Sequence, residues 1–241
     1  MSAGLREAWA YLAGSPLLWL SVTLLTYLGA LSLYRRGGSH PLLLPVLTSV
    51  IVLVAILTAT GTPYEVYAHA TAMFAFLIGP ATVALAVPLY GQLARLRRLW
   101  MPIGIALLAG SLTAILSALG IAWLLGGSLE TLLSLAPKSS TMPIAMEVAR
   151  VTGGLPSFTT VAVAITGITG AMCAFGLSRL MRIEDPAVQG FAMGLGAHAI
   201  GTARAFQEGE TAGAFSALAM SLNGIATAVL VPLLLALLGL F

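Results

Sequence analysis

The sequence predicts an all-α polytopic membrane protein: two structural repeats with interrupted helices and about eight membrane segments. Three observations carry this. The 241 residues are 59% hydrophobic and only 8% charged, whereas a soluble domain carries about a quarter charged residues, so the lipid bilayer must serve as solvent for most of the surface. Apolar runs near the 20 or so residues needed to cross a bilayer recur along the chain. Short stretches of the two halves also match in order at near-constant spacing.

The regular segments are 17–34, 42–60, 100–125, 158–178 and 212–240. The run 17–34 ends in Tyr34-Arg35-Arg36 rather than a small-residue cleavage site, so it reads as a retained span and not a signal peptide. Before it, residues 1–16 contain Trp9 and Tyr11 and read as an interfacial segment. Three segments are irregular: 66–91 contains Gly79-Pro80, 129–151 a polar stretch, and 187–206 several glycines with His198 and Arg204. Interrupted apolar segments of this kind are what carriers place at a substrate site. The net charge of +3 is small and dispersed; it excludes a nucleic-acid partner and leaves the arginines as topology signals. If all eight segments cross, Arg35-Arg36, the run Arg95-Leu96-Arg97-Arg98 and Arg150 share a cytoplasmic side. Both termini, Arg179 and Arg182 then lie outside. If 66–91 and 187–206 re-enter instead, the halves become inverted.

The repeat divides the chain into 17–126 and 127–241. "RGGSHP" (36–41) matches "TGGLP" (152–156), "PATVALA" (80–86) matches "IGTARA" (200–205) around Thr82 and Thr202, and "GSLTAIL" (110–116) matches "GIATAVL" (224–230), at offsets of 116, 120 and 114. Duplicated halves with interrupted helices point to a carrier whose site lies between them near the bilayer middle. Expected helix breaks are Gly79, Pro80, Pro143, Gly153, Gly154 and Gly201.

The polar stretch is "PKSSTMPIAMEVAR", 137–150. Thr141 suits an N-cap and Pro143 the first turn of a helix running to about 151, ended by Gly153-Gly154. Free N–H groups at that helix start, with Lys138, Ser139, Ser140 and Thr141 beside it, form a site for a small anion such as a carboxylate; the competing reading is a capped interfacial helix with Lys138 snorkelling to headgroups. Glu147 is spaced to pair with Arg150, or, if buried, to carry a proton. His198 is either a helix-packing hydrogen bonder or a proton-linked group, and Arg204 either binds a carboxylate or marks the end of its span. Substrate binding is thus assigned to Lys138, Ser139, Ser140, Thr141, Thr82, Thr202 and Arg204. Cys173 stands alone, so no disulfide or cysteine metal cluster is expected. No phosphate loop, metal-ligand spacing or nucleophile elbow is present, so no enzyme and no cofactor is expected.

The stretches "GPATVALAVPLY" (79–90), "PKSSTMPIAMEVARVTGG" (137–154) and "GLGAHAIGTARAFQEGETAGAFSALAM" (194–220) resemble the signatures of the LrgB/CidB family, and the resemblance runs from about residue 17 to the C-terminus. Ser140 and Met142 depart from it, since the family usually reads valine and threonine there. The resemblance implies a holin- or antiholin-like role in murein hydrolase export and autolysis, with a small LrgA/CidA-type membrane protein as partner. It also implies kinship with plastid glycolate/glycerate translocators, in which the two parts are fused, and with bacterial pairs linked to pyruvate uptake. With no LrgA-like part and no transit peptide, a multi-pass subunit of a bacterial inner membrane is expected. Its partners would be the lipid bilayer, a small carboxylate and, in either functional reading, further copies of itself as a homo-oligomer.

Overall fold

The computed structural model of the chain describes residues 14–240, which are almost wholly helical and include no strand. Most of the interfacial segment expected over 1–16 lies outside the described residues. Two compact units divide between Ala84 and Leu85. Five helical segments are long and apolar enough to cross a membrane: Pro16–Arg36, Ala72–Gly91, Leu93–Leu124, Pro156–Leu180 and Glu210–Leu237. The protein is therefore a multi-pass membrane protein, and its many exposed leucine, valine and isoleucine side chains belong to lipid-facing surface.

The first unit holds α1 (Pro16–Arg36), a 3-10 turn (Pro41–Leu43), α2 (Pro45–Thr60), α3 (Tyr64–Ala70) and α4 (Ala72–Ala84). Its centre is Trp19, fully buried against Ala70, Val22, Ile56 and Leu57. The indole meets the Tyr67 ring edge-on at 5.5 Å, and Thr23 Oγ1 lies 3.1 Å from the Tyr67 hydroxyl. The segment expected over 42–60 is a turn followed by a 16-residue helix, short for a span. The break expected at Gly79-Pro80 is absent: α4 runs through both. An internal proline removes one backbone hydrogen bond, and in an apolar helix that loss need not end the helix. Interruptions fall instead at Thr71 and Leu85.

The second unit holds α5 (Ala86–Gly91), α6 (Leu93–Leu124), α7 (Leu129–Leu135), α8 (Met142–Thr152), α9 (Pro156–Leu180), α10 (Pro186–Glu208) and α11 (Glu210–Leu237). Contacts distant in sequence establish which ends share a membrane face. Arg95 donates to both carboxylate oxygens of Asp185 at 2.6 Å, its guanidinium lies 5.6 Å from the Phe215 ring centre, and Gln92 Nε2 donates to Thr211 Oγ1 at 3.4 Å. The start of α6, the α9–α10 loop and the start of α11 therefore occupy one face, here called the arginine face. From it α6 and α11 run side by side in the same direction. Ser111 meets Asn223 midway, and Ile115, Leu119 and Ala122 pack with Val231 and Leu235 near the far face. Trp100 and Trp123 are both exposed on α6, about 34 Å apart along the axis. They match the two interfacial belts of a bilayer with a core of about 30 Å and place Ser111 at its middle.

Between α6 and α9 the chain enters from the far face and returns to it. Helices α7 and α8, of 7 and 11 residues, are too short to cross and flank a tip at 136–141. The tip reaches the bilayer middle, because the Ser139 carbonyl accepts from Asn223 Nδ2 at 2.8 Å. Ser134 closes the hairpin: its hydroxyl accepts from Leu155 N at 2.7 Å and its carbonyl from Thr159 Oγ1 at 2.9 Å. Gly154 permits this approach, since a Cβ there would stand 2.8 Å from Ser134 N.

Helix α10 re-enters from the arginine face. A Cβ on Gly190 would overlap the Ala212 carbonyl and one on Gly194 the Ser216 carbonyl, so the first arm runs alongside α11. Yet Thr202 Oγ1 lies 3.0 Å from Ser216 Oγ, and Phe206 packs against Gly213. In a straight helix residues 194 and 202 would stand about 12 Å apart and could not both touch Ser216. The chain reverses at His198, whose φ of 40° and ψ of −132° are non-helical, and the second arm returns to the arginine face at Gly209.

These contacts correct the expected topology. Arg179 and Arg182 follow α9 onto the arginine face, not the opposite one, and Arg150, at the end of α8, belongs to the far face. The break near Gly201 falls at His198; Gly201 instead lets the arms approach, a Cβ there standing 2.7 Å from Ala197 Cβ and the Met193 carbonyl. Pro143 and Gly153 bound α8 as expected, Gly153 with φ of 89°.

Candidate functional site

The two hairpin tips, entering from opposite faces, meet at Asn223. This side chain is 2% exposed. Its Nδ2 donates to the Ser139 carbonyl of one tip and, at 3.3 Å, to the Leu195 carbonyl beside the other; its Oδ1 accepts from Ser111 Oγ at 2.7 Å. Every polar atom of the amide is thus engaged, as burial at the bilayer middle demands.

The far-face tip carries Lys138, Ser139, Ser140 and Thr141. Ser139 and Ser140 are buried, and Lys138 and Thr141 are half-buried. Thr141 occupies the N-cap position of α8 without a capping hydrogen bond from its side chain, so the first-turn N–H groups remain directed at whatever occupies the tip. Ser140 is 1% exposed, and its hydroxyl has no hydrogen-bond partner. The nearby surface of α11 is Gly224, from which a Cβ would stand 3.9 Å from Ser140 Oγ. A buried, unpaired hydroxyl beside a lysine and an uncapped helix start has the donor composition of a small-anion site.

The other tip carries His198, 4% exposed, whose Nε2 lies 3.0 Å from the Val163 carbonyl on α9. A carbonyl only accepts, so Nε2 bears hydrogen and Nδ1 is the nitrogen that gains or loses a proton. Gly167 provides the space, since a Cβ there would overlap the imidazole. Thr202, buried on the returning arm, donates to the His198 carbonyl at 2.9 Å and meets Ser216 Oγ.

Arg204 and Glu147 lie away from the two tips. Arg204 is two turns beyond the tip, paired with Glu208 at 2.7 Å and stacked 5.2 Å from the Phe175 ring centre. Glu147 and Arg150 are exposed and form the expected i,i+3 ion pair, so Glu147 has no burial behind a proton-carrying role. Thr82 belongs to the first unit, on an exposed face of α4, where its hydroxyl donates to the Ile78 carbonyl at 2.7 Å. Ser111, Asn223 and Ser216 are site residues that the sequence reading missed. A solitary asparagine within an apolar helix was the available signal, because a membrane helix carries such a group only when partners exist. No group of three or more metal-ligating side chains occurs among the described residues.

The sequence profile of the LrgB-like family matches residues 23–237. The chain belongs to the LrgB-like family. Among its relatives, an uncharacterised protein of Haemophilus influenzae is 37% identical over 213 residues, covering 87% of this chain and 92% of that one. YxaC of Bacillus subtilis is 37% identical over 204 residues, covering 85% and 88%. The antiholin-like protein LrgB of Bacillus cereus is 27% identical over 229 residues, covering 93% and 98%. No solved structure matches. The tips, Asn223 and the α9 glycines all fall within the stretch matched to the LrgB-like family.

Proposed function

We propose that this LrgB-like protein is a secondary carrier of small monocarboxylates of the glycolate, glycerate or pyruvate kind, working by binding and conformational change rather than by catalysis. The observation that carries the reading is the meeting, at the bilayer middle, of two half-membrane hairpins from opposite faces. Carriers build substrate sites from such discontinuous helices, whose N-terminal ends favour an anionic group. Here the carboxylate would take the α8 start, Lys138 and the Ser140 hydroxyl. His198, on the facing hairpin tip, is the candidate for proton coupling. Thr202 and Arg204 are secondary candidates on this reading. The arginine face is assigned to the cytoplasm by the positive-inside rule, and the setting is a bacterial inner membrane.

A second reading is favoured by the name of the Bacillus cereus relative: an antiholin-like regulator of murein hydrolase export and autolysis, acting with an LrgA/CidA-type partner or as a homo-oligomer. Purified protein in liposomes separates the two. Uptake of labelled glycolate or pyruvate, driven by an imposed proton gradient with or without the partner, supports the carrier. If no small carboxylate moves under either condition while the protein remains folded, the carrier reading fails and the regulator stands.

A further inference from the structure

On the outer side of the second unit a groove of about 370 Å³ runs between α6 and the entering arm of α10, with Phe215 of α11 lining it as well. Leu99, Ala106 and Gly110 form one wall, and Ala187, Phe191 and Leu195 the other. Every lining side chain is apolar. The eleven residue steps from Leu99 to Gly110 cover about 17 Å, close to half of a hydrocarbon core of about 30 Å. The groove opens at the level of exposed Trp100, at the headgroup boundary of the arginine face. It ends at the bilayer middle, where Leu195 fills the space beside Gly110: a Cβ there would stand 2.7 Å from Leu195 Cδ2.

The mouth is basic. Arg95 is held by Asp185, whose carboxylate caps α10 through Ala187 N. Arg98 is exposed and forms no ion pair among the described residues, whereas Arg97 projects from the opposite side of α6 from groove-lining Ala106. Arg98 lies one turn before groove-lining Pro102, on the same edge of α6. A transmembrane helix of another protein would need a contact through the full thickness of the bilayer. A groove that is one leaflet deep, closed at the middle and basic at the rim has the dimensions and charge of one phospholipid.

We propose that this groove is a binding site for an anionic phospholipid of the arginine-face leaflet, one acyl chain lying between α6 and α10 and the phosphate held by Arg98. The chain end would abut Leu195, whose carbonyl accepts from Asn223. The lipid would therefore press the entering arm of α10 into the position in which it meets the other hairpin.

The test is lipid retention by protein purified from mixed phosphatidylglycerol and phosphatidylcholine, read by native mass spectrometry. A basic residue near the surface favours an anionic lipid by about a factor of five at low ionic strength, and that is the preference expected from Arg98. Ala106→Trp and Val188→Trp fill the groove from opposite walls, and whichever folds should lose both lipids. Arg98→Gln should retain lipid but lose the preference, and Arg97→Gln, on the other side of α6, should keep it. Retention unchanged in the filled variants, or a preference unchanged without Arg98, overturns the proposal. So does efficient cross-linking of two copies through Val188→Cys, which would make the groove a protein interface. None of these measurements depends on transport, so the lipid site can fail while the carrier reading holds, and the reverse.

Discussion

The residue with the widest reach is Asn223, which joins α6, α10, α11 and the far-face tip. Replacing it with alanine leaves two buried carbonyls and the Ser111 hydroxyl unpaired, at about 1–3 kcal/mol for each group left unsatisfied. Asn223→Asp keeps the acceptor for Ser111 but removes both donors. Thermal melts of the two variants should therefore fall together, well below the parent; an aspartate variant as stable as the parent would show that the tips are held by something else. Ser140 is the opposite case. Its hydroxyl satisfies nothing within the described protein, so Ser140→Ala should leave the melting temperature within a degree or two. It should weaken carboxylate binding by roughly ten- to a hundredfold, the value of a hydrogen bond to a charged group. Lys138→Ala should remove binding altogether in a folded protein. Isothermal titration with glycolate or pyruvate checks both, and undiminished binding in either would place the ligand elsewhere. Lys138 and the three hydroxyl residues were legible in the sequence because charge and hydroxyls stand out against an apolar background. Asn223 was not, because one amide hardly alters the hydropathy of 28 residues, and the atoms that justify it are carbonyls of other segments.

At the scale of the elements, the irregularity of 129–151 and 187–206 was legible, but their re-entry was not. A span of 23 residues and two arms of about 12 have the same composition. Only Arg95 meeting Asp185, 90 residues away, and Ser216 touching both arms of α10 distinguish them. Cysteine accessibility checks this topology after Cys173 is replaced. Gln92→Cys and Glu184→Cys should react with an impermeant reagent from one side, and Leu125→Cys and Ser157→Cys from the other. Reaction of Glu184→Cys from the side of Leu125→Cys would mean that 129–151 crosses, and would end the hairpin description. The glycines of the first α10 arm matter for distance rather than for flexibility. Gly194→Ala pushes a methyl into the Ser216 carbonyl, and overpacking of this kind costs about 1–3 kcal/mol. Its melting temperature should drop, whereas Gly196→Ala, with open space at the Cβ position, should be neutral or slightly stabilising.

At the scale of the molecule, the arginine face depends on pH through one carboxylate. The Ala187 backbone N–H, aided by Arg95, holds the Asp185 pKa below the ordinary carboxylate range. A depressed carboxylate contributes stability above its unfolded value of about 3.9 and loses it as the pH falls through the lower folded value. Asp185 is substantially exposed, so solvent screening limits the effect to under about 1 kcal/mol. Melting temperatures of the parent should fall slightly more than those of Asp185→Asn as the pH goes from 5 to 3, and parallel curves would remove this contribution. Within the second unit, α6 and α11, whose stretches 110–116 and 224–230 match in the sequence, run parallel.

The single amide at the bilayer middle has a mechanical consequence. Its two hydrogens hold different doors, one reaching the tip that opens toward the far face and the other the arm that opens toward the arginine face. Withdrawing either hairpin breaks only that hairpin's bond and leaves the opposite one latched to a side chain anchored by Ser111. Withdrawing both at once would leave both donors without their carbonyl partners. On the carrier reading proposed above, this one side chain would supply an interlock, by which access from either face is conditional on closure of the other.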